Sequence, residues 1–69
     1  MTELETMIMA AIPPGFALRT AAIRDAVGAS HIAVQHALHR LDDAGHVIMR
    51  QGYYQLSEAA KKARQKDMA

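Results

Sequence analysis

Leu4, Met7, Ile8 and Ala11 recur at intervals of three and four residues, the spacing of one stripe along a helix. Met9 falls well off that stripe and Ile12 lies at its margin. Thr2-Glu3-Leu4-Glu5 has the spacing of a capping box, in which the Thr2 hydroxyl accepts an orphan N–H and Glu5 reaches back to the Thr2 N–H. The pattern predicts a helix running to about Ala11, stopped by Pro13-Pro14-Gly15, since neither proline can donate a backbone bond. Phe16-Ala17-Leu18 alternates and is short, as an extended piece or a small edge strand would be. Thr20 stands where a second helix would be capped, and Ile23, Ala26 and Val27 supply its inner face. Gly28 closes it, because glycine tolerates the left-handed conformation that Ala or Val would resist. Ser30 caps a third helix, with Val34, Ala37, Leu38 and Leu41 along one face and Gly45 at its end.

Beyond Gly45 the period changes from helical to alternating. Val47-Ile48-Met49-Arg50 and Tyr53-Tyr54-Gln55-Leu56 flank Gln51-Gly52, the pattern of a hairpin with a two-residue turn. In that register Val47 faces Leu56 and Met49 faces Tyr54 on the inner side, while Ile48, Arg50, Tyr53 and Gln55 point outward. Ser57 caps a last helix from Glu58 to about Lys66, whose Ala59, Ala60 and Ala63 make only a thin apolar face.

Composition narrows the class. Sixty-nine residues with 51% apolar content make one small domain, with a core at about 4–57 and a basic C-terminal helix over 58–69. A chain of this size buries only about 60% of the surface its unfolded form exposes. There is no cysteine, hence no disulfide framework, thiolate metal site or cysteine nucleophile. No apolar run approaches a membrane span. The acidic start, MTELE, argues against a signal peptide, so a cytoplasmic location is expected. Net charge is only +1, but Arg50, Lys61, Lys62, Arg64 and Lys66 outweigh Glu58 and Asp67 in the last third of the chain.

Ile23, Val27, Gly28, Ser30, Val34, Ala37-Leu38, Leu41, Ala44-Gly45, Val47 and Tyr54-x-Leu56 together resemble the winged helix-turn-helix domains of bacterial and phage transcriptional regulators. The likeness covers roughly residues 4 to 57, with the run Ala37-Leu38-His39-Arg40-Leu41-Asp42-Asp43-Ala44-Gly45-His46-Val47 before a hairpin ending in Tyr-x-Leu. It implies a mainly α (α+β) fold: a three-helix core, a two-stranded β-hairpin wing and a short C-terminal helix. It also implies a recognition helix at about 31–44 in the major groove of double-stranded DNA, with the wing at about 47–56 on the flanking backbone. Two features depart from the family pattern. Arg24 stands where a small residue is common, and the recognition helix carries histidines and a glutamine in place of two or three arginines.

With Val34, Ala37, Leu38 and Leu41 taken by the core, the residues that would face DNA are Ser30, His31, Ile32, Gln35, His36 and His39. Gln35 can pair in bidentate fashion with adenine, and Ile32 can pack on a thymine methyl. Arg50 and Gln51 sit at the tip of the wing, and Thr20, Lys61, Lys62 and Arg64 are candidate phosphate contacts. Met9 and Ile12 are a candidate homodimer patch, which would pair two recognition helices on a palindromic site. His36 and His39 lie three residues apart, but nothing completes a metal-ligand set, and neither a cofactor nor a small-molecule ligand is expected. No histidine has a visible partner and pocket, so an enzyme is not expected. The alternative is a winged helix that binds and modulates another protein, for example a phage protein acting on a host regulator. The low net charge and the Asp42-Asp43 pair ending the recognition helix favour that alternative.

Overall fold

The capping box forms as its spacing requires. In the computed structural model the Glu5 N–H donates to Thr2 Oγ1 at 3.2 Å and the Thr2 N–H donates to Glu5 Oε1 at 3.0 Å, opening α1 (Glu3–Ala11). The structure describes the backbone of residues 1–68 and the side chains of residues 1–64. The element order continues with β1 (Leu18–Arg19), α2 (Thr20–Val27), α3 (His31–Asp43), β2 (Val47–Arg50), β3 (Tyr53–Leu56) and α4 (Glu58–Met68). The fold is thus α+β, with four helices and one antiparallel sheet of order β1-β3-β2 among the described residues. The sheet has three strands rather than the expected two, because the short segment after the prolines pairs with the hairpin: Leu18 lies opposite Tyr54 and Arg19 opposite Tyr53.

The inner face of α1 is rotated from the expected stripe. Ile8 and Ile12 are fully buried, whereas Met7 is 42% exposed. Ile12 is the C-cap and adopts extended backbone, φ −94° and ψ 110°, so helical spacing no longer governs where its side chain points. Its burial removes it from the candidate dimer patch. Met9, the other half of that patch, is half-buried and packs against the core.

Pro13 and Pro14 have a second consequence. In a continuing helix the N–H groups of residues 13 and 14 would bond the carbonyls of Met9 and Ala10, four residues back, but proline has no N–H to give. Arg64 of α4 supplies the missing donors: Nη1 donates to the Met9 carbonyl at 3.0 Å and to the Ile12 carbonyl at 2.8 Å, and Nη2 donates to the Ala10 carbonyl at 3.1 Å. No basic residue lies in the last turn of α1 itself. A cation at this helix end also suits the macrodipole.

The α2–α3 pair is joined through Gly28, whose φ of 71° is the left-handed conformation expected there and whose N–H donates to the Arg24 carbonyl at 2.8 Å. Thr20 does not cap α2. Arg19 holds the N-cap position in extended backbone because strand pairing continues up to it, so Thr20 is already helical. Ile23 is fully buried and Val27 packs on the core, but Ala26 is exposed. Arg24 keeps its guanidinium outward, 3.7 Å from Asp25. In α3 the Ser30 hydroxyl accepts from the Ala33 N–H at 3.2 Å, and Val34, Ala37, Leu38 and Leu41 all enter the core. α1, α2 and α3 each touch the other two.

The hairpin has the predicted register, Val47 opposite Leu56 and Met49 opposite Tyr54. Gln51 (φ 52°) and Gly52 (φ 83°) are both left-handed, the signature of a type I′ turn. Val47, Tyr54 and Leu56 are buried, but Met49, on the edge strand near the turn, is 48% exposed. Ser57 caps α4 by accepting from the Ala60 N–H at 3.2 Å, and Ala60 alone of the three expected alanines is buried. The expected end of this helix near Lys66 falls where side chains lie outside the described residues. Among the described residues no helix is long and apolar enough to cross a membrane.

Candidate nucleic-acid interface

The core stripe of α3 decides what its other side can do. Burying residues 34, 37, 38 and 41 leaves His31, Ile32, Gln35, His36, His39 and Arg40 exposed along the same helix. The structure therefore groups the α3 candidates on one outward surface. Ile32 is 67% exposed. Ser30 sits at the start of this surface with its oxygen engaged by the Ala33 N–H. There is no acidic residue in the first turn of α3, so no carboxylate there would repel an anion.

Arg50 and Gln51 are exposed at the turn end of the hairpin. The remaining basic candidates diverge. Lys61 is tied to Glu58 at 3.0 Å, and Lys62 is exposed. Arg64 is not a free phosphate contact, because its guanidinium is bonded to three carbonyls at the end of α1. Arg40 is exposed and attracts Glu5. The Glu5 carboxyl is held below the usual carboxylate range, first by the Thr2 backbone N–H, then by the Thr2 hydroxyl, and more weakly by Arg40 and the N-terminal ammonium. Its own desolvation opposes the shift.

Among the described residues no three His, Asp or Glu side chains gather where they could hold a metal ion. A shallow apolar depression between α1 and α4 is lined by Met9, Ala10, Leu56, Ala60 and Arg64. With Ile12 in the core, Met1, Phe16 and Ile32 are the most exposed large apolar side chains among the described residues.

One pair of residues escaped the sequence reading. The Arg19 guanidinium carbon lies over the Tyr53 ring, 5.0 Å from the centroid, a cation–π contact. The outward position of Tyr53 follows from the hairpin register. Only the pairing of β1 with β3 brings Arg19 beside it.

Comparison with protein-family models, with curated proteins and with solved structures finds no match for this chain. Its function must be argued from the fold and its surface.

Proposed function

We propose that this chain is a small DNA-binding domain of the winged helix-turn-helix type, acting by occupying a site on double-stranded DNA. In this reading α3 lies in the major groove and the β2–β3 hairpin rests on the flanking backbone. The observation that carries it is the division of labour on α3: one face is wholly core, and the other presents Ser30, His31, Ile32, Gln35, His36 and His39. The left-handed Gly28 between α2 and α3 supports the same reading, as does the exposed hairpin beyond α3. Gln35 is the residue to pair with adenine, Ile32 the one to meet a thymine methyl, and the histidines are donors to guanine N7 or to phosphate.

The test is fluorescence anisotropy of the whole chain with random-sequence duplex DNA at low salt. Saturable binding is expected, and none at tens of micromolar, where about 10⁻⁴–10⁻⁶ M non-specific complexes form, refutes the reading. On a selected site, Gln35→Ala and His36→Ala are expected to lower affinity and leave the melting temperature nearly unchanged. A second reading, binding of another protein through α3, is favoured by the exposure of Ile32 on a weakly charged face. Ile32→Ala separates the two, since protein docking would fall far more than non-specific DNA binding.

A further inference from the structure

Arg19, Tyr53 and Arg50 occupy one row across the three-stranded sheet. Arg19 pairs with Tyr53 from β1, and Arg50 pairs with Tyr53 from β2. Cross-strand partners project from the same face, and the inner face is the one carrying Leu18, Tyr54 and Met49 in the next row. The three side chains therefore share the outer face, and all three residues are exposed. Strand spacing of about 4.8 Å puts the two arginine backbones roughly 10 Å apart with the tyrosine between them.

Three of the other bases are already engaged among the described residues. Arg24 and Lys61 lie beside carboxylates, and Arg64 is bonded to carbonyls. Arg19 and Arg50 have no carboxylate within ion-pair distance among the described residues. The Arg19 guanidinium carbon lies over the Tyr53 ring, 5.0 Å from its centroid, and the planar fork of donors that a guanidinium carries can grip a phosphate in bidentate fashion. This contact also holds a flexible side chain in place before any ligand arrives. Arg19 is moreover the residue from which the chain enters α2, the helix that precedes α3.

We infer that Arg19, seated on Tyr53, and Arg50 form a two-pronged clamp for backbone phosphates of DNA, on the outer face of the sheet. This rests on the DNA-binding reading, to which it adds Arg19 as a contact and Tyr53 as a positioning residue. The clamp carries affinity without sequence preference, since phosphates are alike at every base pair.

The test uses anisotropy of the full chain with a random-sequence duplex between 50 and 200 mM salt. Each phosphate contact contributes about 0.9 to the slope of log affinity against log salt, about a 3.5-fold change in affinity over that range. Arg19→Ala and Arg50→Ala are each expected to flatten the slope by about 0.9, and the double variant by about twice that. Tyr53→Leu keeps both charges but removes the platform. It is expected to weaken binding about two- to fivefold with the slope nearly kept, and Tyr53→Phe, which retains the ring, is expected to restore affinity. Arg19→Gln repeats the charge test with the side-chain stem intact should the alanine variant melt early. Wild-type binding with an unchanged slope in Arg19→Ala or Arg19→Gln overturns the clamp and leaves the DNA reading standing. No wild-type binding overturns both. Weakening by Arg19→Ala on one sequence but not on another also overturns the clamp, because it would mark a base contact.

Discussion

Removing the Arg64 guanidinium tests whether the end of α1 depends on a donor from the far end of the chain. Arg64→Ala leaves the carbonyls of Met9, Ala10 and Ile12 without their partner, and Pro13 and Pro14 cannot replace it. Two of the three bonds are partly buried and the third, to Ala10, is exposed, so water takes over the third at little cost. Counting about 1 kcal/mol for each partly buried bond, and about 0.5 kcal/mol for the cation at the negative end of the helix, gives roughly 2–3 kcal/mol. For a domain of this size that is a fall in melting temperature of about 10–20 °C. The assay is urea and thermal unfolding followed by far-ultraviolet circular dichroism, with Lys62→Ala as an exposed neighbour expected within about 0.5 kcal/mol of wild type. Arg64→Lys keeps the charge but not the planar fork, and is expected to fall between the two. The loss should persist at high salt, because carbonyls rather than a mobile surface carboxylate accept the bonds. An Arg64→Ala protein within about 0.5 kcal/mol of wild type would refute the capping role.

Three further outcomes follow from the packing and the backbone. Leu38→Ala, at a fully buried position on α3, is expected to cost about 2–5 kcal/mol in urea unfolding, enough to unfold much of so small a domain. Glu5 is favoured as the anion in the folded chain, so the stability it adds is full above the ordinary carboxylate value and is lost as pH falls through its lowered folded value. Glu5→Gln should therefore flatten the acid limb of a stability–pH profile below about pH 4.5, and an unchanged limb would assign that limb to other groups. Gln51→Asn puts a residue better suited to positive φ at the first turn position, and a gain of a few tenths of a kcal/mol, up to about 1 kcal/mol, is expected in thermal melts.

What could be read from the sequence was local. The capping box, the Ser30 and Ser57 caps, Gly28 and the hairpin register each depend on residues within a few positions of one another, and each appears where its spacing places it. The core stripe of α3 was legible because the helix is long enough for its period to show. Ile12 departs from the helical pattern because it lies just beyond α1, where the chain is extended and a helical wheel no longer applies. Thr20 departs from the expected cap because a strand pairing that local pattern cannot reveal holds Arg19 extended and shifts the start of α2. Arg64 looked like one basic residue among several. Its partners are more than fifty positions away, and only the docking of α4 against α1 brings them together. For the α3 surface the outward placement of the candidates was legible, whereas Arg19 entered the picture only through the third strand.

The same long-range contacts change what a net charge of +1 means. Arg24 lies beside Asp25, Lys61 is paired with Glu58, and Arg64 is bonded to carbonyls. Among the described side chains that leaves Arg19, Arg40, Arg50 and Lys62 as the cations without such engagement. A DNA-binding protein that neutralises six to ten phosphates loses about 10³–10⁵ in affinity between 50 and 200 mM salt. Two prongs would lose only about 12-fold over the same range. A reader built this way draws little of its affinity from charge, so groove contacts through Gln35, Ile32 and the histidines must supply more of it. A shallow salt dependence combined with large losses in Gln35→Ala would mark that balance. A steep slope would instead require phosphate contacts from more bases than the folded chain leaves free among its described residues.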